Sequence, residues 1–560
     1  MTRPALRRPH LVDLALVAAM ALILVGILVG RAGLHPYNVP ELDLRPALLP
    51  LYLLFSLARL SVTLVISVLL ALPIGYLAYR SPLARRLILP TLDIFQSVPV
   101  LGFFPVAVWA CIGLFGGSAL GVETAAVFLI FTSMFWNLAF GVYESLITIP
   151  EDVTLAAAQF GVRGSLRWSR LILPAAVPSL VYNSLVSWAN GWFFLIASEI
   201  IAAGPARYTL PGLGSYLAQA VTVGRNDETL FALAALLATT LTLHLLLWGP
   251  LQTWAERFHL DETGDHPKTP RIARVMRQSR IVAWMTHAIV GPLAQQVLAT
   301  GSRIYGLVES RVRWMALLFG VLVAGLVAGA GWQLYRVFAS RALSPELRAI
   351  PGDLLLSLTR VAIGVVLSAV ASIPIARWIA RHRRFRSAAM AIIQILAAVP
   401  ATAFFPIIVI LIGWGMGMNA GSVLLALTTM IWYVLFNVVG AANAIPKEME
   451  QAARSFGLGG LQYYRRLFVP AVLPSLITGC LTAWGAGWNA MILCEYVEAN
   501  RHVYSVRGIG ATLDRATYLT GDMQVIWASL AAMVLLIVLV NRFFWDALYA
   551  YTARRYTVER

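Results

Sequence analysis

The sequence predicts an all-α polytopic membrane protein with about 12 transmembrane helices, arranged as two parallel six-helix repeats. Three observations support this prediction. Of the 560 residues, 59% are hydrophobic and 12% are charged, whereas about a quarter of the residues in a soluble protein are charged. Apolar runs of about 20 residues, long enough to cross a bilayer, recur along the chain. The second half of the chain also repeats the first, segment by segment.

The predicted domains follow this repeat: residues 1–250 form the first repeat, 251–313 a basic linker and 314–560 the second repeat. The six predicted spans of each repeat lie at roughly 11–31, 52–79, 91–114, 122–144, 179–202 and 229–250, and at roughly 314–336, 353–380, 389–413, 420–442, 475–497 and 524–549. The first apolar segment resembles a signal peptide, but its length and the lack of a small-residue cleavage site favour a retained helix. Pro99, Pro105, Pro400 and Pro406 are predicted to break the third spans.

The formal net charge of +17 comes from basic clusters that lie between apolar segments. These clusters are at 80–86, 163–170, 271–280, 377–386 and 554–555. Their distribution follows the positive-inside rule and predicts that both termini and the repeated loops lie in the cytoplasm. It favours a lipid bilayer, and not nucleic acid, as the partner of the basic residues. The linker is interpreted as a tether with interfacial or cytoplasmic helices.

The sequence contains no recognisable pattern of catalytic, metal-binding or nucleotide-binding residues. Cys111, Cys480 and Cys494 lie in apolar stretches, and the eight histidines have no ligand spacing, so neither a disulfide nor a metal site is predicted. A P-loop needs a lysine beside a glycine-rich turn, and Lys268 and Lys447 lie in other settings. We therefore predict no catalytic residue, no metal, no cofactor held by this chain and no enzymatic activity.

The register of the repeat can be followed residue by residue. Early in each half the offset is 301, as between Arg59 and Arg360 (360 − 59 = 301). After a five-residue difference between the third and fourth spans the offset is 296, as between Glu199 and Glu495 (495 − 199 = 296). Because each half has an even number of spans, the repeats are predicted to be parallel and related by a pseudo-twofold axis along the membrane normal.

The most informative repeat is a polar segment between two apolar ones. In the first copy we predict a short helix after Pro150 with acidic residues in its first turn. Ala156 and Ala157 are small helix formers that permit close approach by a partner, and Gly161 suits the left-handed residue that ends a helix. A second short helix is predicted to stop at Pro174.

The second copy of this segment repeats the same plan. Its matching residues are Pro446, Ala452, Ala453, Gly457 and Pro470. A short helix with a small, flat face suits insertion into a groove on another protein. The sequence therefore predicts one docking element in each half.

Both segments resemble the EAA loop of ABC-importer permeases, in which Glu-Ala-Ala is followed after three residues by Gly. The flanking SLxR motifs at 56–59 and 357–360 are similar to those of the nitrate/sulfonate/taurine/bicarbonate-type permeases. This resemblance implies a type I ABC importer-like fold in a bacterial plasma (inner) membrane. The ATPase-coupling positions that it implies are Ala156, Ala157, Gly161, Ala452, Ala453 and Gly457.

The resemblance also implies the partners. Each loop would dock on a cytoplasmic ABC ATPase, so that one chain takes two ATPase copies, and these copies would hold the ATP and Mg²⁺. An extracytoplasmic substrate-binding protein would deliver a small, anionic solute. The sequence departs from the family at the leading glutamate, which is Leu155 in one half and Gln451 in the other. We therefore expect the two loops to bind their ATPases unequally.

Ionisable residues inside spans are costly and suggest a function. Arg59 with Glu199, and Arg360 with Glu495, recur in register near the outer ends of the second and fifth spans. Three interpretations are open: a structural brace within each half, contact with the solute at an outer gate, or snorkelling of the side chains toward the lipid interface. Similarly, Trp192 and Trp488 either line the pathway or pack between helices.

Two other functions are compatible with a twelve-span chain. A secondary transporter driven by an ion gradient would also have parallel six-span halves, but it should carry acidic residues at mid-membrane and does not need a repeated Ala-Ala-x-x-x-Gly loop. A membrane scaffold or signalling subunit is less compatible with a duplicated, pore-like architecture. Neighbouring genes for a P-loop ATPase and a secreted binding protein would favour the importer.

Overall fold

The computed structural model describes residues 42–97, 100–115, 119–203, 206–255, 344–382, 386–397, 404–499 and 502–556, together with isolated positions at 258, at 399 and between 314 and 335. The first predicted span at 11–31 and nearly all of the linker at 251–313 lie outside the described residues, as does part of the span at 314–336. The predictions for these segments stay predictions.

The first half consists of helices joined by short turns, with one small hairpin. In order, its elements are α1 (Leu49–Arg80), α2 (Pro82–Ser97), α3 (Val100–Leu114), α4 (Ala119–Ile147), α5 (Glu151–Gln159), α6 (Gly164–Arg167), a π-turn (Trp168–Ile172), α7 (Leu173–Glu199), β1 (Ile200–Ala203), β2 (Ala206–Thr209), α8 (Leu213–Val223), α9 (Asn226–Leu243), a π-turn (His244–Trp248) and α10 (Gly249–Ala255).

The second half repeats this order. Its elements are α11 (Pro345–Arg381), α12 (Arg386–Ala397), α13 (Phe405–Gly413), α14 (Met418–Ala444), α15 (Lys447–Ser455), α16 (Gly460–Tyr463), a π-turn (Tyr464–Phe468), α17 (Val469–Cys494), β3 (Tyr496–Ala499), β4 (His502–Ser505), α18 (Ile509–Arg515), a π-turn (Ala516–Thr520), α19 (Met523–Val540), a π-turn (Asn541–Trp545) and α20 (Asp546–Tyr556). The internal duplication is thus present in the fold as well as in the sequence.

Eight of the described helical segments are long and apolar enough to cross a membrane. They are Pro46–Arg80, Leu120–Ile147, Trp168–Glu199, Asn226–Gln252, Pro345–Arg381, Met418–Asn443, Gly460–Cys494 and Met523–Tyr549. They correspond to the second, fourth, fifth and sixth predicted spans of each half, and they confirm a polytopic, helical membrane protein. Mean hydropathy in their most apolar windows lies between 1.4 and 2.5, as expected for segments in contact with lipid.

The third span of each half, predicted at 91–114 and at 389–413, is not a single helix in the structure. Each is described as two shorter helices, α2 and α3 in the first half and α12 and α13 in the second. These segments join the halves, because α2 and α3 contact α19, α3 also contacts α17, and α12 contacts α9. One hydrophobic core therefore includes residues of both halves.

The prediction that Pro174 and Pro470 stop a short helix is wrong. The chain passes from α6 through a π-turn directly into α7, and from α16 through a π-turn into α17. In the first half the turn is closed by the amide of Leu173, which donates to the carbonyl of Trp168 five residues earlier. A wider π-turn accommodates a proline ring that would clash with the preceding carbonyl of an α-helix. The second short helix of each loop (α6 or α16) and the fifth span that follows it are consequently one continuous helical element.

Two antiparallel hairpins, β1–β2 and β3–β4, are small departures from an all-helical chain. Each follows the fifth span at the end opposite the repeated loop, and its four residue pairs are in register, from Ile200 with Thr209 to Ala203 with Ala206 in the first half. The predicted fifth spans at 179–202 and 475–497 therefore end slightly earlier, at Glu199 and Cys494.

Candidate functional site

The Arg59–Glu199 pair forms a buried polar node in the first half. Glu199 is fully buried, and its Oε1 lies 3.0 Å from Arg59 Nη1 and accepts a hydrogen bond from Ser56. The guanidinium of Arg59 also donates to Glu123 through Nε and Nη2, at 2.8 and 2.7 Å, and to the carbonyl of Pro211 at 2.9 Å. Both charges are therefore satisfied inside the protein, as a buried ion pair requires.

The same carboxylate fixes the segment after the hairpin. Glu199 Oε2 accepts hydrogen bonds from the amides of Gly214 and Ser215, at 2.7 and 3.1 Å. Gly212 has extended backbone, but a Cβ there would lie 2.1 Å from the carboxyl carbon of Glu199. Glycine is required at this position because the carboxylate approaches the main chain, which ties the fifth span to α8.

The second half contains an equivalent node around Arg360 and Glu495. Glu495 is fully buried, forms an ion pair with Arg360 at 2.5 Å, and accepts from Gly510 at 2.9 Å. The matching residue of Glu123 is Asn419 (419 − 123 = 296), whose Oδ1 accepts from Arg360 Nη2 at 2.7 Å. The first node therefore has two carboxylates for one guanidinium, and the second has one.

Two cavities lie between the halves, with volumes of about 240 and 200 Å³. Both are walled mainly by the fourth and fifth spans of each half. The polar residues that line both are Asn137, Asn190, Thr429, Tyr433 and Thr482. A third cavity of about 470 Å³ shares Tyr182 with the larger of the two and extends to Pro150 at the first repeated loop. Together the cavities form the candidate translocation pathway.

The sequence-predicted pathway residues do not line the two shared cavities. Arg59, Glu199, Arg360 and Glu495 are absent from the described walls, and so are Trp192 and Trp488. These two tryptophans are fully buried in the hydrophobic core. The neighbouring positions Trp188 and Trp484, one turn earlier on the same helices, face the cavities instead.

The described walls of the two shared cavities contain no Asp, Glu, Lys or Arg. Their polar groups are amides, hydroxyls and tryptophan indole N–H groups, together with the imidazole of His244 in the larger cavity. Asn190 and Tyr433, which belong to different halves, meet there, and the Tyr433 hydroxyl donates to Asn190 Oδ1. On the same seam between the halves, the rings of Tyr182 and Phe436 lie 5.8 Å apart.

One contact between the fourth and fifth spans pairs an asparagine with a glycine in both halves, but with the two residue types on opposite spans. In the first half Gly141 lies on the fourth span against Asn183 on the fifth, and a Cβ at Gly141 would lie 2.2 Å from Asn183 Nδ2. In the second half Asn437 lies on the fourth span (437 − 141 = 296) against Gly479 on the fifth (479 − 183 = 296). A Cβ at Gly479 would lie 3.2 Å from that of Asn437. Both amides line the larger cavity.

The predicted coupling positions form the same helix end in both loops. Helix α5 makes its last helical bond from Phe160 to Ala156 at 3.0 Å and ends in a Schellman motif, in which Val162 donates to Ala157 at 2.8 Å and Gly161 to Ala158 at 3.2 Å. Gly161 has φ +72° and Gly457 has φ +66°, as predicted for the left-handed residue. Helix α15 ends in the same way, because Phe456 donates to Ala452 and Leu458 to Ala453, both at 2.9 Å.

The surfaces of the two loops are not identical. Phe160 and Phe456 occupy the tips and are 85% and 80% exposed, so each loop has a large apolar side chain exposed at its tip. Ala156 and Ala157 are half-buried, whereas Ala453 is 4% exposed and packs into its own half. Ala453 therefore presents almost none of its side chain at the surface of the loop.

A charged clamp holds the second loop and has no equivalent in the first. Arg377 Nη1 lies 3.3 Å from Glu450 Oε1, and its guanidinium lies 4.1 Å from the centre of the Tyr463 ring. The matching residues in the first half are Tyr76 (377 − 301), Thr154 (450 − 296) and Arg167 (463 − 296). There Tyr76 packs edge-on against Trp168 instead, with ring centroids 5.3 Å apart.

Sequence reasoning missed Glu123 and the cavity amides. Glu123 does not belong to a matched ionisable pair, because its mate is Asn419. Asn137, Asn190 and Tyr433 were missed for the same reason, since Asn190 matches Ala486 and Tyr433 matches Asn137. Amides inside apolar spans are themselves a signal, and this signal would have found Asn190.

The family described as binding-protein-dependent transport system inner membrane component matches this chain twice, at residues 64–249 and 364–558. Each matched stretch includes a repeated loop and the fourth and fifth spans. The duplication is thus a duplication of one family unit.

Three relatives resemble parts of the chain. A probable ABC transporter permease of Brucella melitensis is 30% identical over 149 residues, which cover 26% of this chain and 57% of the relative. The taurine transport system permease protein of Escherichia coli (strain K12) is 29% identical over 154 residues, or 27% of this chain and 52% of the relative. The nitrate import permease protein of Synechococcus elongatus is 28% identical over 148 residues, which cover 26% of this chain and 52% of the relative. The matches span about half the length of these relatives.

Proposed function

The chain belongs to the family of binding-protein-dependent transport system inner membrane components, and from this membership we propose that it forms the translocation pathway of an ATP-driven importer. The observation that carries the proposal is the double family unit, in which each half supplies one wall of a shared pathway and one exposed loop. Relatives named as taurine and nitrate permeases support a small, anionic or zwitterionic oxygen-rich solute.

Energy would come from separate subunits. Each loop offers a short helix, α5 or α15, with an exposed phenylalanine at its tip, which suits the helix-in-groove mode of recognition. We propose that these loops lie in the cytoplasm and dock on two copies of an ABC ATPase, with Ala156, Ala157 and Gly161, and Ala452, Ala453 and Gly457, as coupling positions. The basic clusters near the loops support this orientation. An extracytoplasmic binding protein would deliver the solute at the opposite face.

We propose a bracing role for the two Arg–Glu nodes. Arg59 is engaged by two carboxylates and a backbone carbonyl, which leaves little of the guanidinium for a solute. The nodes fix the second span, the fifth span and the segment after the hairpin to one another. They would keep each half rigid while the halves move.

Reconstitution tests the proposal against the secondary-transporter alternative. Proteoliposomes that contain the chain, its ATPase and its binding protein should take up labelled solute only when ATP is supplied to the ATPase face. Collapse of the proton and sodium gradients with ionophores should leave this uptake unchanged. Uptake without ATP that stops on addition of ionophores would instead support an ion-driven transporter.

A further inference from the structure

The two shared cavities meet at a group of five polar residues, here called the junction: Asn137, Asn190, Thr429, Tyr433 and Thr482. Three of them come from the second half and two from the first, so a solute at the junction would touch both halves at once. The cavities on either side are smaller than the ~300–1,000 Å³ of pockets for drug-sized ligands. The space at the junction therefore suits a small solute.

The junction contains hydrogen-bonding capacity that the protein does not use. Thr429 Oγ1 is buried and has no hydrogen-bond partner among the described residues. The Tyr433 hydroxyl donates to Asn190 Oδ1, and Asn190 itself is half-buried and lines both cavities. Buried polar groups without partners are uncommon in proteins and call for an explanation. A transient ligand with oxygen acceptors would satisfy the buried Thr429 hydroxyl and could also accept from the Asn190 amide at the cavity wall.

The electrostatics of the junction narrow the class of ligand. The described walls of both cavities carry no carboxylate that would repel an anion and no guanidinium or ammonium that would hold one tightly. His244 lines the larger cavity only. Transport requires binding that is favourable enough for entry and weak enough for exit, and neutral hydroxyl and amide donors meet this requirement.

We propose that the junction is a solute site for a small oxygen-rich solute, bound by neutral hydroxyl and amide donors without an ion pair, and that the Asn190–Tyr433 hydrogen bond closes the site when it is empty. The inference deepens the proposed function and rests on it. A solute oxygen accepts from the Tyr433 hydroxyl, from the Asn190 amide and from Thr429 as the two halves part. Because Asn190 matches Ala486, the pseudo-symmetric position cannot form the same contact, and the site lies on one seam only.

The test measures solute moved per ATP hydrolysed in proteoliposomes of the full complex, with nitrate, bicarbonate and taurine as probes. Tyr433→Phe removes the hydroxyl and keeps the ring, and Asn190→Ala removes the amide. Each should lower the ratio by up to about tenfold, the effect of one lost hydrogen bond, for every probe that the unsubstituted complex carries. A purely structural defect would lower uptake and ATP hydrolysis together and would leave the ratio unchanged.

Ser187→Ala is the matched control, because the Ser187 hydroxyl is fully buried, donates to the carbonyl of Met134 and lines neither cavity. It should leave the ratio within about twofold of the unsubstituted value. The inference is overturned if both junction variants also stay within that range. It is equally overturned if the complex hydrolyses ATP but carries none of the three probes. A chain that binds no ATPase at all would refute the proposed function itself.

Discussion

Arg59 Nη1 lies 3.0 Å from Glu199 Oε1 inside the first half, and the opposite edge of the same guanidinium is held by Glu123 at 2.7 and 2.8 Å. The equivalent arginine of the second half, Arg360, has Asn419 in place of that second carboxylate. Two nodes of the same design therefore differ by one charge, and this difference makes their energetic roles separable.

The first prediction concerns this asymmetry. Glu495→Gln should destabilise the protein more than Glu199→Gln, because it leaves Arg360 without a carboxylate among the described residues, whereas Arg59 keeps Glu123. Removing one partner of a buried ion pair costs about 3–5 kcal/mol. Thermal unfolding of the purified chain in detergent measures the difference. Adding Asn419→Glu to Glu495→Gln should recover part of the loss, and equal melting temperatures for the two single variants would contradict the prediction.

The second prediction concerns the left-handed glycines. Gly161→Val and Gly457→Val should each lower ATP hydrolysis by the assembled complex, because a side chain at φ +72° or +66° costs roughly 1–2 kcal/mol and distorts the helix end that we propose to contact the ATPase. Gly459→Val is the control in the same loop, since Gly459 is extended (φ −126°) and a Cβ there has open space. Activity that is equally low in all three variants would show that the loss does not come from the left-handed backbone conformation.

The third prediction concerns the clamp on the second loop. Arg377→Met should loosen α15 and speed amide hydrogen exchange at 447–455 by about fivefold, because it removes a partly exposed ion pair and a cation–π contact worth about 1 kcal/mol together. The loop at 151–159 serves as the internal control, since it has no such clamp. Exchange measured by mass spectrometry should change in the second loop alone. Unchanged exchange there would show that the clamp does not hold the loop.

The fourth prediction concerns the exchanged amide and glycine. Gly141→Asn alone should destabilise the protein by about 1–3 kcal/mol, as overpacking does, because its Cβ meets Asn183 and Ser179. Adding Asn183→Gly reproduces the arrangement of the second half and should restore stability and uptake. The melting temperatures of the single and double variants check this, and a double variant no more stable than Gly141→Asn would refute the equivalence of the two arrangements.

Much of the fold could be predicted from sequence because membrane constraints act locally. Apolar length identifies spans, and the constant offset between residues such as Arg59 and Arg360 identifies the repeat. The repeated loops could be predicted to the level of backbone conformation, since Gly161 and Gly457 do adopt positive φ. Propensity was misleading at Pro174, where a π-turn lets the helix continue.

The lining of the two shared cavities could not be predicted in the same way, because its polar residues break the repeat. Asn190 and Tyr433 have no identical counterparts in the other half, and their contact joins residues 243 positions apart. Only the packing of one half against the other brings them together. Matched ionisable residues identify the two Arg–Glu nodes, which are duplicated, but not the asymmetric cavity lining that we propose a solute would contact.

The number of ATPase subunits in the assembled complex tests the central claim most directly. The chain would be purified in mild detergent with its ATPase, and the intact complex would be weighed by native mass spectrometry. Two exposed docking loops in one chain predict one 61.1 kDa chain with two ATPase copies. A complex with one copy, or with none under conditions that support uptake, would contradict the account.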